Sequence, residues 1–179
     1  IELCDNLSEG GTTPSYGTIY LAKKKLNIPI AVIIRPRGGD FVYSDDEFEI
    51  MKKDIMLCKE VGVETVVLGI LNRDNTIDIE RTRELVNLAK GLKVTFHMAF
   101  DEIDNKIEAL EQLILMGVNR ILTKGSKSCA EEGKFILKEL VDRSKGKITI
   151  LVGGKVTYEN YEELSDFIGC KEVHGSKIV

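Results

Sequence analysis

Seven short runs rich in β-branched residues recur along the chain at intervals of roughly 25 to 35 residues, and a longer stretch with helical spacing separates each from the next. The runs cover 1–4, 29–34, 65–70, 93–98, 120–123, 148–152 and 172–174. The helical stretches cover 15–25, 46–61, 79–90, 106–116, 129–142 and 158–167. This rhythm builds parallel strands, because parallel neighbours need a crossover of a dozen or more residues, usually a helix. The runs are apolar without clean alternation, as expected of a sheet covered on both faces. Two architectures fit: a doubly wound sheet and a barrel. No GxGxxG follows the first run, which argues against a dinucleotide-binding fold. Seven strands plus one upstream make eight. The expected fold is therefore an α/β, TIM-type (β/α)8 barrel whose first strand–helix unit is missing from this chain, which starts at Ile1 inside a strand. Residues 1–179 read as a single barrel domain, partial at the N-terminus and without a stop signal at the C-terminus.

Punctuation supports the helix boundaries. Asp46 and Glu47 stand in a first turn, where carboxylates favour the helix dipole, and Asp78 precedes a helix as a cap. Gly62 and Gly117 follow helices, as C-terminal caps do.

Charge narrows the partners. The net charge is −4, whereas nucleic-acid and membrane-surface binding need a basic footprint. No apolar stretch approaches the ~20 residues of a membrane helix. With no signal peptide, the expected location is the cytoplasm. The four cysteines, Cys4, Cys58, Cys129 and Cys170, form no CxxC or zinc-type cluster. Cys58 and Cys170 read as small buried side chains and Cys129 as the opening of a helix.

In a barrel the loops after the strands form the active face, so the strand ends locate the chemistry. Glu2 and Cys4 are two apart and share a strand face, which places a carboxylate and a thiol inside; a salt-bridged Glu2 beside a buried thiol fits equally well. The loop that follows carries Ser8 and Gly10-Gly11. The second run ends in Arg35, Arg37 and Asp40, whose forked donors suit a carboxylate or phosphate; Arg35 could instead pair internally with Glu2. In the fourth run, alternation turns Thr95 and His97 inward and Phe96 and Met98 toward the helices. His97, with Asp101 beyond it, is a candidate general base, acid or metal ligand, or else a hydrogen-bonded core histidine. Met98 beside His97 invites a copper reading, but neighbours on a strand point opposite ways. Gly153-Gly154 and His174-Gly175-Ser176 fall after the last strands, where backbone amides can hold an anion or simply turn the chain.

Several strings, in order along the whole chain, resemble the copper homeostasis protein family CutC. They are "SEGGTTPS" from Ser8, "RPRGGDFVYSDDEF" from Arg35, "TFHMAFD" from Thr95, "RILTKG" from Arg120, "GGKV" from Gly153 and "HGS" from His174, together with Glu2 and Cys4. The Arg35 string is the specific one. The resemblance implies a TIM-type barrel, usually oligomeric, that handles copper and binds Cu(I), with Cys4 as the thiolate ligand. Met98 stands where the family commonly has arginine, Lys124 where a small residue is usual, and Val152 and Lys155 in place of the Pro and Gly of a PGGG-like turn.

Three functions follow. One is a Cu(I)-binding homeostasis protein using Cys4, with His97 as a possible second ligand. Another is an enzyme acting on a small anionic metabolite. There Arg35, Arg37, Asp40, Ser8, Gly153, Gly154 and His174 would bind substrate, and Glu2, His97 and Asp101 would perform catalysis. The third is a non-catalytic scaffold whose polar groups only pair with one another. The expected partners are a copper ion or a small anion and further copies of the chain, with no nucleic acid or membrane.

Overall fold

The computed structural model describes residues 1–178. Strands and helices alternate: β1 (Glu2–Leu3), α1 (Tyr16–Lys25), β2 (Ala31–Ile33), α2 (Asp45–Val61), β3 (Thr65–Leu68), α3 (Ile79–Leu88), β4 (Lys93–Phe96), α4 (Lys106–Met116), β5 (Arg120–Thr123), α5 (Ala130–Ser144), β6 (Thr149–Val152), α6 (Tyr161–Ile168) and β7 (Glu172–Val173). Every strand and helix expected from the sequence is present, and short 3-10 segments, Leu7–Glu9 and Met98–Glu102, follow β1 and β4. The chain divides into two compact units, Ile1–Thr95 and the part from Phe96 onward.

In the first unit β1 pairs in parallel with β2, and β2 with β3, in the registers Glu2–Ala31 and Ala31–Thr65. All four residues of β3 are buried, as a strand covered on both faces requires. Helix α2 starts at a reciprocal cap: the Ser44 hydroxyl accepts from the Glu47 amide, and the Glu47 carboxylate accepts from the Ser44 amide. Its buried face is Met51, Ile55 and Cys58, spaced four and three apart. Gly62 ends it at φ 80°, its N–H closing on the Cys58 and Lys59 carbonyls.

In the second unit β5 pairs in parallel with β6, and β6 with β7. Arg120 on β5 forks onto Glu172 on β7, with Nε–Oε2 at 2.6 Å and Nη2–Oε1 at 3.0 Å, tying the outer strands of the unit. Helix α5 lies on bare backbone. A Cβ at Gly133 would stand 2.0 Å from the Lys124 carbonyl oxygen, and one at Gly125 2.7 Å from the Gly133 oxygen.

Most element ends lie a few residues from the expected ones, and two of the differences have a visible cause. Strand β4 stops at Phe96, because the backbone turns at His97 into the 3-10 segment, and Thr95, Phe96 and His97 are all buried. Helix α6 begins at Tyr161, not at 158, because Thr157 bridges to Lys177 and the Tyr158 amide donates to the Lys177 carbonyl at 2.9 Å.

Candidate functional site

In the first unit the loops after β1 and β2 form one structure built around arginines. Arg35, 5% exposed, sends Nη1 to the carbonyls of Glu9 (2.6 Å) and Gly11 (3.0 Å) and Nη2 to that of Gly39 (2.8 Å). Its guanidinium lies 5.0 Å from the Phe41 ring centroid. Arg37 uses Nε for Glu47 (2.6 Å), Nη1 for the Gly38 and Asp40 carbonyls, and Nη2 for Asp40 Oδ1 (2.9 Å) and the Val42 carbonyl (2.8 Å). A guanidinium has five N–H donors, and these five contacts engage all of them. The arginines expected to clamp an anion instead bind their own loop. Arg35 grips loop carbonyls; Arg37 pairs with Asp40 as expected and also with Glu47. Ser8 is exposed on the 3-10 segment. Gly38 lies close under Glu9: a Cβ there would stand 2.9 Å from the Glu9 Cβ.

Cys4 sits half-buried at the end of β1, its sulfur 3.7 Å from where a Gly11 Cβ would be. Burial first, and then the Glu2 and Asp5 carboxylates, push its thiol above the ordinary value. The other thiol of this unit, Cys58, is fully buried on α2, and burial with Asp54 nearby pushes it up to about 12.

In the second unit His97, 5% exposed, caps the 3-10 segment: its Nδ1 accepts the Ala99 N–H at 3.2 Å. The neutral ring therefore carries its proton on Nε2. A metal at Nε2 would force that proton onto Nδ1, donor against donor with the Ala99 amide. Asp101, 2% exposed, accepts from the Thr123 hydroxyl at 2.6 Å and from the Lys124 amide at 3.1 Å. Burial raises its carboxyl, against the pull of those hydrogen bonds. Lys106 donates to the carbonyls of Asp101 and Ile103, and burial lowers its ammonium. The sequence reading passed over Thr123 and Lys106, yet a strand-end hydroxyl and a first-turn lysine facing an acidic 3-10 segment were available signals.

Gly153 is enclosed: a Cβ there would meet Leu122, the Met98 methyl and His174 Cβ at 2.8, 3.0 and 3.6 Å. Beside it the loop after β6 and the segment after β7 enclose a cavity of about 430 Å3 lined by Gly154, Lys155, His174 and Ser176 among others. Cys129 occupies the position before α5 without a side-chain cap hydrogen bond; its partly exposed thiol lies below the ordinary value, first through the nearby Glu132 amide and then through the Ser128 hydroxyl, 3.7 Å from the sulfur. Cys170, expected to be buried, is half-buried. Among the described residues no group of three or more His, Cys, Asp or Glu is placed to hold a metal ion, and no helix is long and apolar enough to cross a membrane.

The model of the CutC family matches residues 1–179. The chain belongs to the CutC family. A mouse CutC homologue, described as a copper homeostasis protein, is 47% identical over 98% of this chain; the chain spans 65% of that protein's length. The crystal structure of a putative copper homeostasis protein CutC from Streptococcus agalactiae superposes with a TM-score of 0.96 at 44% identity, covering 99% of this chain and 88% of that one. Deoxyribose phosphate aldolase from Aeropyrum pernix shares the fold alone, with a TM-score of 0.69 at 14% identity over 90% of this chain and 71% of its own. The CutC resemblance seen in the strings from Ser8, Arg35 and Thr95 is thereby established, as is an α/β fold of parallel strands and helices.

Proposed function

We propose that this chain serves copper homeostasis by holding Cu(I) at Cys4. One observation carries the reading: the Cys4 sulfur stands half-buried at the end of β1 against Gly11, and after burial itself the groups acting on it are the carboxylates of Glu2 and Asp5. A field that keeps a proton on a thiol also favours a cation in the proton's place. Sulfur is the soft donor that Cu(I) selects. Arg35, the cation that would oppose such a site, has its guanidinium bound to loop carbonyls. Cu(I) needs a second soft donor, and the buried Cys58 is a poor one. His97, with Nδ1 occupied, is no better. The second donor is to be sought outside the first unit. A reducing cytoplasm, an oligomer and an eight-stranded barrel completed by a further strand–helix unit belong to the same proposal.

The test is Cu(I) titration against a competing chelator, on this chain and its Cys4→Ser variant. The expected result is defined stoichiometry and a loss of affinity on the order of 100-fold in the variant. Equal affinity in both would remove Cys4 as the donor.

A second reading, an enzyme acting on a small anionic metabolite, rests on the cavity after β6 and β7, which carries two lysines and no carboxylate among its lining residues. Screening anionic metabolites for turnover tests it.

A further inference from the structure

We propose that the cavity between the loop after β6 and the segment after β7 binds the phosphate group of a small phosphorylated metabolite. This deepens the second reading by naming a ligand class, and it needs no catalysis to hold. The cavity, about 430 Å3, has the size of a small-molecule site, typically about 300–1,000 Å3.

Its charge selects the ligand. The chain as a whole carries −4, yet the lining includes Lys155, Lys177, His174 and Ser176 and no acidic residue. Among the described residues the side chains of Lys155, His174, Ser176 and Lys177 make no hydrogen bond or ion pair. Other exposed lysines of the chain also lack an ion pair; what sets Lys155 and Lys177 apart is that both line one cavity that has no carboxylate in its lining. Two unpaired ammonium groups repel a cation and attract a multiply charged anion. Phosphate offers more charge and more acceptor oxygens than a carboxylate, and a lysine serves it as a point charge.

Two glycines, Gly154 and Gly175, are part of the lining and bring main chain to the wall. A Cβ at Gly175 would lie 2.2 Å from the Val156 oxygen, so the two segments touch backbone to backbone. Gly154 sits at φ +90°, a conformation open to glycine. Among the described residues the amides of Gly154, Gly175 and Ser176 donate to no backbone or side-chain acceptor. Amides of this kind in a turn form anion-binding concavities. The Thr157–Lys177 bridge and the hydrogen bond from the Tyr158 amide to the Lys177 carbonyl hold the two segments together before any ligand arrives.

The test titrates inorganic phosphate into this chain at constant ionic strength, read by calorimetry and by 31P line broadening. It compares the native chain with Lys155→Gln/Lys177→Gln and with the charge-reversed Lys155→Glu/Lys177→Glu. Both lysines are exposed, so neither variant disturbs the core, and circular dichroism checks the fold. The inference expects saturable binding that weakens at least tenfold in the Gln variant and vanishes in the Glu variant, with acetate failing to compete. No saturable binding, binding that neither variant alters, or equal binding of acetate would each overturn it. Phosphate binding with no turnover of any phosphorylated compound would sustain this inference and remove the enzyme reading.

Discussion

Arg37 and Glu47 are joined by an Nε–Oε1 hydrogen bond of 2.6 Å, while the other oxygen of Glu47 accepts the Ser44 amide at 2.7 Å. One carboxylate thus ends the loop after β2 and starts α2. The Ser44 amide first, and Arg37 with it, hold the Glu47 carboxyl below its usual range against the opposing effect of burial. Stability from a lowered carboxyl is present above its unfolded value and is lost as pH falls through the folded one. Glu47→Ala should cost about 1–2 kcal/mol, mostly the cap, since the ion pair is partly exposed. Urea denaturation at pH 7 and pH 3 checks this: the gap between native and variant should narrow at pH 3.

Arg35→Lys should fail to restore what Arg35→Ala removes. Three carbonyls at different places converge on one planar fork, and an ammonium cannot reproduce that geometry. Each variant should lose about 2 kcal/mol, because the buried Gly11 carbonyl is left without its donor and the Glu9 and Gly39 carbonyls lose their anchor. Hydrogen exchange should accelerate at the Gly10 and Gly11 amides, with thermal midpoints reporting the loss.

Asp101→Ala should cost about 2–3 kcal/mol by stranding the Thr123 hydroxyl and the Lys124 amide. The pH dependence has the opposite sense to that of Glu47. Burial raises the Asp101 carboxyl, so its contribution is fullest below the unfolded value and declines as pH rises through the folded one. Thermal melts across the acid range should show that decline in the native chain and lose it in Asp101→Asn. Identical profiles in the two would refute the assignment.

Asp5→Asn should make Cys4 more reactive. Removing a carboxylate that raises the thiol brings its ionisation down toward the ordinary value. Alkylation by iodoacetamide at pH 8 should be faster in the variant. In the native chain, apparent Cu(I) affinity should keep rising with pH beyond the ordinary thiol range, because binding displaces the proton.

Gly133→Ala should destabilise the second unit by about 1–3 kcal/mol, since the new methyl would press on the Lys124 carbonyl. Chemical denaturation measures it, and Gly17→Ala on α1, where a Cβ would meet nothing nearer than Ser15 Oγ at 3.9 Å, serves as the comparison for an added methyl in a helix.

Strand and helix positions were legible because periodicity and caps are local. Asp78, Gly62 and Gly117 sit at the helix ends where their chemistry puts them. What the sequence could not reveal was which partner each polar group takes. Arg35 reads as a ligand clamp until its carbonyl partners are seen, because backbone acceptors leave no trace in residue type. Met98 and His97 looked like opposite faces of a strand, yet the strand had already ended at Phe96. Lys155 counted only as a departure from the family turn, whereas with Lys177 it lines a cavity.

The Arg35 anchor has a bearing on how this loop can drift. It holds main-chain oxygens of Glu9, Gly11 and Gly39, so it reads the path of the chain and is blind to the side chains along it. Exposed positions such as Leu7 and Ser8 are free to change identity from one relative to another while the loop keeps its shape. Gly11 and Gly39, at φ 90° and 81°, are not, since the path itself depends on them. The loop is thus a fixed frame with interchangeable decoration, open to new recognition without refolding.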